Sequence, residues 1–148
     1  MQGGTYSFID VQASIAGPGG SFSLGYGEAT AEEGITVAMA NDKNAMTVGS
    51  DGSVQHSLRA DNSGQITLRY LKTAPINRTL MALYNAQKLD SRLWGKNVIT
   101  VTQSVASDAI AGIFCAFKKV PDLTYATEGG TVEWVFDAGR IEGMLGTY

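Results

Sequence analysis

An alternation near the C-terminal end of the chain constrains the fold most. Val132, Trp134 and Phe136 alternate with Thr131, Glu133 and Asp137. Successive side chains on a strand point to opposite faces, so this is the period-two pattern of a half-buried strand. Gly129-Gly130 supplies a turn before it, and CAFKK supplies a partner strand before the turn. Residues 115–141 therefore read as strand, turn, strand. Nothing in the segment is arranged as an active site; it is scaffold.

The rest of the chain continues the pattern. Residues 5–16 read as a first strand, with Ile9, Val11, Ala13 and Ile15 on one face and Tyr6 and Phe8 on the other. That change of parity predicts a bulge or a strand covered on both sides. Gly17-Pro18-Gly19-Gly20 ends it, and GYGEATAEEG follows as a glycine-rich loop. Ile35, Val37 and Met39 alternate as a second strand. Residues 41–64 are polar and turn-rich, with two short strand-like pieces around Asp51-Gly52, a hairpin signal. Ile66, Leu68 and Tyr70 make another strand.

One helix is expected, over about residues 75–90. Ile76, Leu80, Leu83, Tyr84 and Gln87 form a stripe at helical spacing, Thr73 is the expected N-cap, and Pro75 suits the first turn. Its end is expected between Leu89 and Gly95. Strands over 98–105 and 109–117 flank a Ser107-Asp108 turn. A last strand covers 131–141, and 143–148 is a tail. Seven or so strands and one helix predict a mainly β chain, an antiparallel β-barrel or sandwich with a flanking α-helix. A single domain spans 1–148, with an extended arm or hairpin at about 41–64.

Composition narrows the function. The chain has 148 residues, 44% apolar and 17% charged, a low charge content that fits either a β-rich fold or a surface that meets other subunits. Glycine is abundant at 18 and proline scarce at 3, which favours tight turns over a disordered linker. The net charge of −3 argues against a protein that grips nucleic acid through its phosphates. Cys115, the one cysteine, lies between aromatic neighbours and is expected to be a buried small hydrophobe. No export signal or membrane-spanning run is visible, and synthesis and folding in a cytosol are expected.

No constellation of catalytic residues stands out. A Ser-His-Asp triad would have to use His56, the one histidine, which sits in a strand beside a turn. One histidine and one distant cysteine make no zinc motif. The glycine-rich stretches lack the strand-then-helix setting of a phosphate loop. Glu32-Glu33 reads as a solvated loop at a strand entrance rather than a glycosidase pair. Asn77-Arg78-Thr79 matches a glycosylation acceptor, but at a helix start no sugar is expected. Lys118-Lys119 reads as a solvated strand tip. Catalytic residues, cofactors and metals are therefore all expected to be absent.

Taken together, the blocks TYSFIDVQASIAGPGG, GYGEATAEEGITVAMANDKNAMTVGSDG, SGQITLRYLKTAPIN, WGKNVITV and CAFKKVPDLTYATEGGTVEWVFDAGRI resemble the tail tube proteins of contractile-tailed bacteriophages. They cover nearly the whole chain in order; the specificity lies in their sum. The resemblance implies a non-enzymatic virion protein whose hexameric rings stack into a hollow inner tube. The implied partners are further copies of itself, the tail sheath, and baseplate and tail terminator proteins. Genomic DNA would pass through the lumen without tight binding, and no membrane would be involved. Assembly would occur in the host cytoplasm. A channel that must release DNA is expected to keep its lysines and arginines in subunit interfaces or on the outer wall. The 41–64 arm is expected to contact a neighbouring subunit or ring through Asp42, Lys43, Asn44, Met46, Val48, Val54, His56 and Arg59. The similar secretion-system tube that delivers effectors and a small ligand-binding β-barrel are the alternatives.

Overall fold

The computed structural model describes residues 3–25 and 30–147. In chain order the described elements are β1 (Val11–Gly17), β2 (Gly20–Gly25), β3 (Thr30–Met39), β4 (Asn44–Val48), β5 (Val54–Leu58), β6 (Gly64–Leu71), α1 (Ile76–Gln87), β7 (Asn97–Gln103), β8 (Asp108–Lys119) and β9 (Thr131–Met144). Seven strands make one sheet in the order β2-β1-β7-β8-β9-β6-β3, and β4 and β5 pair only with each other. Every pairing is antiparallel.

Alternation fixes which face is buried. In β9, Val132, Trp134, Phe136 and Ala138 point inward. Register then stacks like on like: Phe136 lies between Ile66 of β6 and Phe117 of β8, and Trp134 faces Leu68. On the other half of the sheet, Ile15 of β1 faces Ile99 of β7, both fully buried. The sheet curls so that these halves share one core. The Tyr70 hydroxyl spans that core and donates to the Leu24 carbonyl at 2.7 Å, linking β6 to β2, and burial pushes its ionisation up. No pairing closes β2 onto β3 among the described residues, so the architecture is sandwich-like, with two strand edges left open.

Because neighbouring strands run in opposite directions, the connections collect on two opposite rims. One rim holds the β1–β2 turn, α1 and the loop over 120–130; we call it the helix rim. The hairpin rim holds the N-terminal segment, the β4–β5 hairpin, the β7–β8 turn and the C-terminal end. At the helix rim α1 buries Leu80, Leu83 and Gln87. Tyr84 packs edge-on against Trp94 and Phe117, with centroids 6.0 and 5.5 Å away. The Trp134 indole donates to Asn77 Oδ1 at 3.0 Å. Gln87 and Asn97, both buried, exchange amide hydrogen bonds of 2.7 and 2.9 Å, and Gln87 also donates to the Pro18 carbonyl. This satisfies polar groups that would be costly if left unpaired. Gly17 makes room for the pair: a Cβ there would stand 2.1 Å from Asn97 Oδ1.

Several expectations need correction. The first strand begins only at Val11; Phe8–Asp10 form a 3-10 turn capped by the Ser7 hydroxyl, which explains the parity change at Tyr6 and Phe8. β2 was not foreseen, because SFSL is short and sits between glycines. Of the expected loop over 25–34, residues 30–34 belong to β3 and 26–29 lie outside the described residues. Glu32 and Glu33 thus fall on a strand. Pro75, not Thr73, occupies the N-cap position, without a side-chain cap bond; the Asn77 amide instead binds the Leu71 and Lys72 carbonyls. The helix stops at Gln87, before the expected end, and turns continue to Gly95. Residues 120–130 form a longer loop than a Gly129-Gly130 turn, and β9 runs on to Met144. The helical stripe, the inward set of β9 and the buried Cys115 agree with expectation. Burial pushes the Cys115 thiol up to about 11.

Candidate assembly surface

The β4–β5 hairpin is a part of the chain that the core leaves uncovered. Five cross-strand pairs hold it, from Asn44↔Leu58 to Val48↔Val54. Its tip is a tight turn: Gly49 donates to Ser53 O at 2.7 Å, Gly52 takes φ +90°, and Asp51 accepts from the Ser53 amide. That bond holds the Asp51 carboxyl below the usual range.

Strand alternation divides the hairpin into two unlike faces. Asn44, Met46, Val48, Val54, His56 and Leu58 share one face; Ala45, Thr47, Gln55 and Ser57 share the other. The first face is apolar and open. Met46, Val48 and Val54 are more than half exposed, and Leu58 is 82% exposed. His56 lies opposite Met46, with its Nδ1 3.2 Å from the Asn44 amide nitrogen. An isolated two-stranded hairpin is marginally stable in water, so a hairpin with one bare apolar face gains by packing against something.

A polar bracket fixes the base. The Asn41 amide donates to Asp61 Oδ2 at 2.5 Å, and the Ser63 hydroxyl and amide donate to Asp61 Oδ1 at 2.6 and 2.8 Å. The Lys43 ammonium binds Asn62 Oδ1 at 2.6 Å. Arg59 closes the bracket through its backbone, donating to Lys43 O at 2.9 Å. The Ser63 hydroxyl foremost, then the Ser63 amide and Asn41, hold the Asp61 carboxyl down to about 2.

The structure thus brings Asn44, Met46, Val48, Val54 and His56 onto one face. Lys43 and Arg59 sit at the base, with Lys43 turned back toward the body, and Asp42 is exposed on the connecting segment. Sequence reasoning missed Leu58 and Asp61. Leu58 was readable from its parity with Val54 and His56; the Asp61 bracket joins residues twenty apart and leaves no local pattern.

The sheet's outward surface shows compensated charge. Ser14 and Thr100 share a hydroxyl bond of 2.7 Å, Arg69 pairs with Glu133 at 3.3 Å, Arg140 pairs with Glu142, and Asp137 accepts from Gln65. A groove of about 650 Å³ lies beside Thr100, Ala111 and Glu142. The one carboxylate on it, Glu142, is engaged by Arg140, so no acid and base converge there. Among the described residues no group of His, Cys, Asp and Glu side chains is placed to hold a metal. No helix among them is long and apolar enough to cross a membrane.

Comparison with solved structures finds the same fold in contractile particles. The chain is similar to a protein in the cryo-EM structure of the anti-feeding prophage tube-terminating cap, with 10% identity, a TM-score of 0.63, and 98% of this chain and 93% of that one covered. A chain of the sheath/tube terminator of an extracellular contractile injection system, PVC, matches at 13% identity and TM-score 0.64, covering 96% and 98%. A chain of the extended PVC sheath–tube complex matches at 12% and 0.62, covering 95% and 92%. Comparison with curated protein sequences gave no match. The profile of the family described as "Bacteriophage PhiTE tail tube protein" matches residues 3–146, nearly the whole chain. The chain therefore belongs to this bacteriophage tail tube family.

Proposed function

We propose that copies of this chain close into hexameric rings and that the rings stack as the inner tail tube of a contractile phage. The tube has no catalytic role; it is the conduit for the genome, surrounded by the sheath and ended by baseplate and terminator proteins. One observation carries the reading beyond family membership: a hairpin held away from the core, with Met46, Val48, Val54 and Leu58 bare on one face. A stack of rings needs a contact that repeats from one ring to the next, and a projecting arm that packs on a copy in the next ring supplies one. The open edges of β2 and β3 supply a second, by pairing between subunits. The compensated sheet surface suits a channel wall, because its arginines are already matched by carboxylates.

Electron microscopy of the purified protein tests this directly. Rings or tubes are expected. Deleting residues 42–59 should leave a folded subunit that cannot form tubes, and normal polymerisation of the deletion variant would refute the role given to the hairpin. Solved structures similar to this chain include chains of an extracellular contractile injection system, which supports an effector-delivering tube as a second reading. Purified particles decide between them: DNA protected from nuclease inside the tail favours the phage, and protein cargo without DNA favours the injection system.

A further inference from the structure

The two rims carry opposite charge. Lys72, Arg78, Lys88, Lys96, Lys118 and Lys119 all lie at the helix rim, on α1 and its flanking segments or at the end of β8. Among the residues whose side chains are described, the carboxylates there are fewer. Asp90 is taken by Arg92 at 2.9 Å, and Asp122 lies 3.8 Å from Lys119; Glu128 stands on the loop. Lys88 is held over the Tyr84 ring, 5.1 Å from its centroid, so its charge stays on the helix surface. At the hairpin rim the balance reverses. Asp10, Asp42, Asp51, Asp61 and Asp108 stand there against Lys43 and Arg59, and Arg140 is matched by Glu142.

We propose that the helix rim of one copy docks on the hairpin rim of the next, with this opposed charge setting the contact and its direction. The inference rests on the tube reading and deepens it, since it states which surfaces meet between stacked rings. The occupant of each rim is a second copy of this chain, because each rim presents the charge the other lacks. Like rims repel, so rings add in one orientation only and the stack is polar. The hairpin, rooted in the acidic rim, is carried toward the next copy, where its apolar face is covered. Charge chooses the partner surface; apolar burial then holds it.

Polymerisation of the purified protein, followed by sedimentation and microscopy, tests the proposal. Ionic strength shortens the reach of surface charge from about 10 Å at 0.1 M to about 3 Å at 1 M. The concentration needed for tube growth should therefore rise by about tenfold over that range. Charge reversal gives the sharper result. Lys96→Glu with Lys118→Glu should abolish stacking, as should Asp42→Lys with Asp51→Lys, and the chain carrying all four changes should stack again. All four positions are exposed, and thermal melting verifies that each variant is folded. If wild-type protein makes tubes whose growth ignores salt, and both reversed variants stack like wild type, the rim proposal is wrong and the tube reading stands. Failure of the fourfold variant to stack while every variant melts as wild type also overturns it. If wild-type protein forms neither rings nor tubes, the tube reading itself falls.

Discussion

At the scale of single residues, the helix rim depends on close packing in two different senses. Leu83 is buried under α1, and its Cδ1 would lie 3.1 Å from a Cβ at Gly19. Leu83→Ala is expected to cost about 2–5 kcal/mol in chemical denaturation, the range for truncating a large core side chain. A loss under about 0.5 kcal/mol would mean that Leu83 packs against nothing. Gly17 tests space rather than filling. A methyl group there would displace the Asn97 amide and break its exchange with Gln87, leaving buried polar groups without partners. Gly17→Ala should therefore destabilise by about 2–4 kcal/mol, combining overpacking with lost hydrogen bonds. Gly3→Ala, with open space around it, should be silent. The sequence showed Leu83 plainly, because an amphipathic stripe is a local pattern. It did not show why Gly17 is glycine: that reason is a side chain eighty residues away.

Among the elements, the β4–β5 hairpin has the clearest electrostatic signature. Asp61 at its base titrates at about 2 in the folded protein, below its ordinary value of 3.8. A carboxyl with a lowered folded value contributes stability that is complete above its unfolded value and is lost as pH falls through the folded one. The bracket should hold at pH 4 and above and let go as pH falls toward about 2. The Ser63 and Arg59 amide signals in NMR should shift together across that window, and Asp61→Asn should remove the step. A step centred above pH 4 would contradict the bracket. The hairpin also shows what alternation conveys. Its register was readable from Asp51-Gly52 and the flanking strands, and so was its apolar face. The expectation of an extended arm or hairpin over 41–64 rested on the segment's length and polarity, because β4 and β5 carry the same alternation as strands that join a sheet. β2 escaped notice for the opposite reason: a short strand between glycines is built by its neighbour β1, not by its own composition.

For the whole molecule, the distribution of charge matters more than its total. A net charge of −3 conceals a basic rim and an acidic one. Nothing in the sequence shows this, since Lys72, Lys88, Lys96 and Lys118 are scattered along the chain and only the return of each strand brings them to one rim. In the proposed stack the basic rim would be covered, and the exposed sheet surface carries arginines already paired. Assembled tubes should therefore bind duplex DNA more weakly than about 1 μM at physiological salt, measured by fluorescence anisotropy. Tighter binding, with a steep fall on adding salt, would mean that unpaired cations face the channel. The free subunit leaves its basic rim open and should bind DNA measurably better than the tube does.

The pairing of β1 with β7 also governs when a newly made chain can act. Ser14 meets Thr100 across 86 residues of sequence, so β1 can pair with β2 at once but its pairing with β7 waits until β7 emerges from the ribosome. At about 5–20 residues per second that wait lasts some seconds. The β4–β5 hairpin pairs residues close in sequence and can form during the wait, whereas the curled sheet that gathers each rim cannot. In the proposed assembly, the surface that a neighbour's arm would grip is complete only after β9 has emerged, so synthesis itself would delay polymerisation until each subunit is whole.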